Sequence, residues 1–322
     1  MQSPRALVPT VESLRDLLPP LRDWKSRRPQ LRYVTMETRK RAAVRIRPKG
    51  TLARGNEGHR LAVFTAVDGT LLDARTFEAG ENRATIERLL AADIPVIPMS
   101  VMTLDELAPI AADLGLQTAM VIEAGGAIAR WKDGAWEVEP CGPPAETFLS
   151  VVTDIEDRSG AQLSVYSVME ESEAAKVSGR SGEMLRASTL RRFSEPFLIE
   201  SGNLRKIQRA AAEIGFSVRR GRRFFHLCRE CDEGEAFLRL REELRCDVTI
   251  AVGGSLVDAE FLTRADVAIV MPALDGTIDP ELLAKVKTAR IAPAPAPAGW
   301  TAAVEEVLRT LTSKRRTRSA AS

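Results

Sequence analysis

Four short stretches of this 322-residue chain bring together residue types that could handle an anion. The apolar run Leu61 to Phe64 predicts a buried strand that stops at the turn-prone Asp68-Gly69-Thr70. A strand ending in such a turn, with helical sequence after it, is how open α/β sheets present a binding crevice. Ser100 closes a second apolar run. Gly125-Gly126 and Gly253-Gly254-Ser255 follow two more such runs. Glycines at strand ends can leave backbone N–H groups free to form an anion-binding nest, to which the hydroxyls of Thr70 and Ser100 could add. Glycines that only shape turns would leave the same pattern. Asp68, read by itself, is a turn-capping residue. Cys228 and Cys231 stand at C-x₂-C spacing, with His226 before them and Cys246 after. That set could hold Zn²⁺, although a second pair is missing and buried or free thiols give the same spacing.

The elements that must position these residues alternate. Helical spacing runs from Asn82 to Ala92 and from Leu104 to Leu114. Strand patterns cover Ile94 to Met99 and Thr118 to Ile122. Strand-helix-strand-helix-strand predicts a parallel sheet with right-handed crossovers. Asp133-Gly134 between two alternating runs predicts a hairpin. From 143 to 225 the pattern turns mixed: helical over Glu146 to Gly160, strand-like from Arg191 to Ile199, helical over Leu204 to Gly215. The parallel pattern resumes with a helix from Glu233 to Leu244, strands at Val248–Val252 and Val267–Met271, and a last helix from Trp300 to Leu311. The expected organisation is therefore a three-layer α/β core over 59–142 and 226–312, with an inserted α/β cap over 143–225.

Residues 1–60 carry fifteen Lys or Arg against five Asp or Glu, and the ten residues from Ser313 add four basic residues and no acid. The body between them is acidic, with 27 basic against 39 acidic residues. The extension 1–58 is broken by prolines and read as disordered, as is the tail 313–322. Such basic arms could engage an acidic partner or simply be solvated. Trp24 and Tyr33 alone are too sparse for a nucleic-acid stacking platform. No run of 18 apolar residues is present, and the N-terminus lacks a secretory apolar segment, so the default expectation is a cytoplasmic protein.

The order of these segments resembles the haloacid-dehalogenase superfamily, whose first motif is a hydrophobic strand followed by Asp-x-Asp-Gly-Thr. It is similar, more narrowly, to the mannosyl-3-phosphoglycerate phosphatases. The similarity runs through Phe64–Leu72, Ser100, Glu123-Ala-Gly-Gly-Ala-Ile, Arg192-Phe-Ser-Glu-Pro-Phe, Arg223-Phe-Phe-His-Leu, Gly253–Leu262 and Gly299-Trp300. The resemblance implies a phosphatase in which the first Asp attacks phosphorus, the second serves as acid/base, and Mg²⁺ assists. It also implies that Ser100 contacts the phosphate and that Glu195, Arg223 and His226 face the phosphoglycerate and sugar parts of the substrate.

The chain departs from that pattern where it matters most. Ala66 stands at the nucleophile position, while Asp68 survives at the acid/base position. Glu233 replaces the lysine of the third motif. Gly254 and Val257 replace an Asp and an Asn of the magnesium-binding motif, leaving Asp258. A single Asp→Ala exchange in an intact site would explain Ala66 alone; a degenerate site explains all four. The leading expectation is a non-hydrolysing homologue that binds a phosphosugar or a protein partner. The alternatives are an Mg²⁺-dependent phosphomonoesterase with a displaced nucleophile such as Asp73, and a scaffold acting through its basic ends.

Overall fold

The computed structural model describes residues 60–229 and 233–319, with side chains to 311. The extension 1–58 and Cys231 lie outside the described residues. The core is an eight-stranded sheet built from β1 (Leu61–Ala66), β2 (Val96–Met99), β3 (Ala119–Ile122), β4 (Ala127–Lys132) and β5 (Ala135–Pro140). The chain returns to the core after the cap, which holds β6 (Gln162–Val165), β7 (Glu195–Ser201), β8 (Phe216–Arg220) and β9 (Phe225–Arg229). It then adds β10 (Val248–Gly253), β11 (Val267–Val270) and the two-residue β12 (Arg290–Ile291).

The core order is β12-β11-β10-β1-β2-β3-β4-β5, parallel from β12 to β3 and antiparallel in the β4–β5 hairpin. Asp133 and Gly134 turn that hairpin, both at positive φ, as the two-residue turn requires. Both faces of the sheet are covered, which is why its strands read as unbroken apolar runs. Alternate residues of β1 serve opposite layers. Val63 packs with Ile86, Leu107 and Val304 of the helices Asn82–Ala91, Leu104–Asp113 and Ala298–Ser319. Ala62 and Phe64 pack with Phe237, Leu240 and Phe261 on the other side. Thr65 is the polar exception inside β1, and it accepts a hydrogen bond from Trp300 Nε1 at 2.9 Å. That bond ties the last helix to the central strand.

The chain leaves β1 toward β2 and β3, and later returns to its other side at β10. The crevice of this switch point opens at the C-terminal ends of β1 and β10. The cap sits over it as a four-stranded antiparallel sheet, β6-β7-β9-β8, backed by helices Glu146–Ser159 and Leu204–Glu213.

Four boundaries differ from the sequence reading. The expected core boundary at 226 falls inside β9, which pairs with β7 and β8 and so belongs to the cap. The strand expected from Arg191 begins only at Glu195, because the Glu123 carboxylate takes the N–H groups of Arg192, Phe193 and Ser194 out of the ladder. The helices Glu171–Ser178 and Gly182–Thr189 were not anticipated. The last helix runs to Ser319, seven residues into the expected irregular tail.

Candidate functional site

The end of β1 decides what this crevice can do. A cavity of about 70 Å³ lies between core and cap, lined on the core side by Ala66, Asp68, Ser100, Glu106, Ser255 and Asp258. Cap residues Tyr166, Arg180, Arg191, Arg222, Arg223 and His226 line the other side. Ala66 therefore presents a methyl group to the cavity from the last position of β1, and a methyl group forms no bond to phosphorus.

The cap reaches into the core through one tight turn. Gly221 N–H donates to the Phe224 carbonyl at 2.9 Å, and Arg222 and Arg223 are its two central residues. A Cβ on Gly221 would lie 2.9 Å from His226 Nε2, so the close approach of the ring accounts for the glycine. Arg223 Nη1 donates to Asp68 Oδ2 at 2.9 Å, and its Nη2 donates to the Ala74 carbonyl at 3.0 Å. Asp68 is thus held by an ion pair and does not cap a turn. Its Oδ1 is buried without a hydrogen-bond partner among the described residues. Arg222 Nη2 donates to the Gly69 carbonyl at 3.4 Å.

Deeper in the seam, Arg180 lies 2.8 Å from Glu106, an ion pair not aligned as a hydrogen bond. Arg191 is shared between Glu106 at 4.0 Å and Glu123 at 3.5 Å. Glu106 also closes a capping box with Thr103 at the start of its helix. Burial pushes the Glu106 carboxyl up, against the pull of Arg180 and Arg191. His226 points from β9 toward the core, as alternation with Leu227 requires, and burial drives its pKa down to about 3. Its ring is neutral at pH 7, with Nδ1 unpartnered among the described residues.

Several expected site residues are elsewhere. Gly125 and Gly126 do not line the cavity: a Cβ on Gly126 would come within 2.7 Å of the Phe193 carbonyl, so Gly126 makes room for the chain crossing to β7, while Gly125 takes a positive φ of 91°. Thr70 is buried below the cavity, its hydroxyl without a hydrogen-bond partner among the described residues. Glu195 turns away to accept from Ser167 N–H at 3.1 Å and Ser167 Oγ at 2.6 Å. Glu233 is buried at the start of its helix and does not line the cavity. Asp73 accepts from Arg75 and Thr76 N–H groups in a local turn, and those bonds hold its carboxyl below the usual range. It is not a nucleophile facing the cavity. Cys228 is buried against Ala124 and Val257, and burial pushes its thiol up to about 12. Among the described residues no cluster of three His, Cys, Asp or Glu could hold a metal ion.

Arg180, Arg191 and Glu106 escaped sequence reading because nothing in their spacing sets them apart from surface charges. Arg222 stood beside a residue already singled out, and the doubled arginine in a glycine turn was the available signal.

The residues at the switch point do not fit a divalent cation. Asp258 Oδ2 already accepts from Gly254 N–H at 2.7 Å, Ser255 N–H at 2.7 Å and Ser255 Oγ at 3.0 Å. Asp68 Oδ2 is occupied by Arg223, which leaves only its Oδ1, Gly254 offers no side chain, and Arg222 extends over it. A dication about 5 Å from a guanidinium would meet a repulsion of about 6 kcal/mol at an effective dielectric of about 20.

The wider comparisons agree with this architecture. No family model matches the chain. It is 26% identical over 265 residues to a glucosyl-3-phosphoglycerate/mannosyl-3-phosphoglycerate phosphatase of Methanococcoides burtonii, covering 76% of this chain and 96% of that protein. A protein of the same description from Persephonella marina is 21% identical over 266 residues, 77% of this chain and 97% of that one. In sequence and in fold the chain is similar to proteins of the haloacid-dehalogenase superfamily. Within it, the sequence is similar to the mannosyl-3-phosphoglycerate phosphatases. A haloacid dehalogenase-like hydrolase from Bacteroides thetaiotaomicron superposes with a TM-score of 0.55 at 17% identity, over 78% of this chain and all of that one. A subclass IIB sugar phosphatase of the superfamily gives 0.57 at 13% identity, over 76% of this chain and 98% of that one. These structures share the core and cap. Among the described residues, no helix is long and apolar enough to cross a membrane.

Glu195 yields a prediction about pH. Burial raises its pKa from 4.5 to about 7, so the folded state holds a proton that the unfolded chain releases between these values. Folded stability contributed by that proton is present below about pH 4.5 and lost as pH rises to about 7. Glu195→Gln keeps a neutral, hydrogen-bonding group there. Denaturant midpoints measured from pH 4.5 to 7.5 are expected to fall less steeply in Glu195→Gln than in the unaltered protein. Parallel pH profiles would show that Glu195 does not hold that proton.

Proposed function

We propose that this chain is a phosphatase homologue of the haloacid-dehalogenase superfamily that binds a phosphorylated glycoside or glycerate without hydrolysing it. The observation that carries the reading is the Ala66 methyl at the end of β1, in one cavity with Asp68, Ser100 and Asp258. The similarity to glucosyl-3-phosphoglycerate and mannosyl-3-phosphoglycerate phosphatases supplies the ligand class.

Binding draws on what remains. Ser100 is buried at the mouth of β2, where its hydroxyl accepts from Met102 N–H at 3.1 Å and can donate to a phosphate oxygen. Arg180, Arg191, Arg222 and Arg223 give the cavity the cations a phosphate needs. Neutral His226 can offer a hydrogen bond to a sugar hydroxyl without adding charge. Turnover lacks its first step, because the end of β1 presents the Ala66 methyl, Asp68 is held by Arg223, and Asp73 is committed to its own turn. A protein partner for the basic extension 1–58 belongs to the same reading, since an arm of that sign suits an acidic surface.

Titration calorimetry with mannosyl-3-phosphoglycerate, paired with an assay of released phosphate, tests this. Saturable binding with phosphate release at the background rate is expected. Release at ordinary enzymatic speed would overturn the reading.

A further inference from the structure

Arg222 and Gly254 fit one another across the seam between cap and core. Gly254 follows directly on β10, and a methyl group built on it would overlap Arg222 Nη2 and crowd the Met271 carbonyl at 3.0 Å. Any side chain at 254, a carboxylate included, would displace the guanidinium. Arg222 meanwhile bridges the two halves of the switch point, donating to Gly69 beyond β1 while lying against Gly254 beyond β10. Burial pushes the Asp258 carboxyl up, and the Arg222 guanidinium pulls against it. Its single hydrogen bond among the described residues is the long one to Gly69, which leaves N–H donors for a ligand. Arg223 differs, being committed to both Asp68 and Ala74.

We propose that the Arg222 guanidinium is the resident cation of this cleft, taking the place of a divalent metal, so that a phosphate-type oxyanion binds there without Mg²⁺. The inference rests on the phosphate-binding reading above. A guanidinium presents paired N–H donors that match two phosphate oxygens, which a compact metal ion does by coordination instead. A cation carried on a side chain cannot be removed by a chelator. It also explains why Gly254 and Arg222 belong together: the glycine is the space the arginine uses.

The test uses the full chain and inorganic phosphate, titrated calorimetrically in EDTA and again in excess Mg²⁺, with Mn²⁺ binding followed separately by electron paramagnetic resonance. Equal phosphate affinity in both solutions and unbound Mn²⁺ are expected. Arg222→Ala should weaken phosphate about 10- to 100-fold, the loss of one charge-assisted contact. Arg222 is an exposed residue that belongs to no hydrophobic cluster, so its removal spares the core, and an unchanged melting curve verifies that. Gly254→Asp combined with Arg222→Ala should gain Mn²⁺ binding and make phosphate affinity depend on Mg²⁺. If Mg²⁺ strengthens phosphate binding tenfold in the unaltered protein, or if Mn²⁺ binds it and is released in Asp258→Asn, the metal replacement is wrong while phosphate binding stands. Absence of phosphate binding in both solutions would overturn both readings.

Discussion

Replacing Glu123 with alanine is expected to lower the unfolding midpoint by roughly 10 °C, the largest effect of any single side chain at the seam. Its buried carboxylate accepts from Arg192, Phe193 and Ser194 N–H groups at 3.0–3.1 Å and from Ser194 Oγ at 3.3 Å. Arg191 lies 3.5 Å away, equally buried. Alanine strands three backbone donors and a guanidinium together, and breaking one partner out of a buried pair costs about 3–5 kcal/mol. A folded chain of this size loses about 2–4 °C per kcal/mol. Asp105→Ala, which removes the more accessible partner of Arg192, is the control, with an expected change of about 1 kcal/mol or less. Calorimetric midpoints within a degree or two of each other would show that the crossing segment holds its course without Glu123.

The second expected result concerns chemistry. Ala66→Asp restores the attacking carboxylate, and is nonetheless expected to recover less than about one-hundredth of the rate an intact site would give. Losing such a group costs about 10⁴- to 10⁶-fold, and groups that act as a unit are grossly non-additive. In this variant Asp68 is still clamped by Arg223, Arg222 still fills the space beside Gly254, and Glu233 still opens its helix with a negative charge. The combination Ala66→Asp/Arg222→Ala/Glu233→Lys/Gly254→Asp is expected to exceed the single variant, and only with Mg²⁺ present. The measurement is phosphate release from mannosyl-3-phosphoglycerate under single-turnover conditions. Full activity from Ala66→Asp alone would mean that the remaining groups are competent and that one methyl group was the whole impediment.

The core was legible because its signals are local. The runs forming β1, β2, β3, β10 and β11 are buried on both faces, so they read as apolar blocks, and the Asp133-Gly134 turn announced its hairpin. The site was half legible for the same reason. Ala66, Asp68, Ser100, Asp258, Arg223 and His226 share one cavity, and each ends a strand or sits beside a turn that sequence alone marks. Gly125, Gly126, Thr70 and Glu195 were misplaced because a strand end has two sides. Which side a residue serves depends on a neighbour far along the chain, Phe193 for Gly126 and Ser167 for Glu195. The partnership of Arg222 with Gly254 was illegible on principle, since a missing side chain leaves no trace of what fills its place.

One asymmetry of the seam has a kinetic side. Arg180, Arg191, Arg192, Arg220 and Arg223 all stand on the cap, and the carboxylates they meet, Asp68, Asp105, Glu106, Glu123, Asp279 and Glu281, all stand on the core. Arg222 forms no ion pair among the described residues. On the phosphate-binding reading, a dianion held first by Arg222 would have to take any further cation from a carboxylate that already holds it, so the cleft would act as an ion exchanger. Simple salt is expected to loosen the outer, solvent-reached pairs such as Arg220–Asp279 by screening, whereas a phosphate bound as proposed would hold the two halves together by replacing one set of negative charges with another.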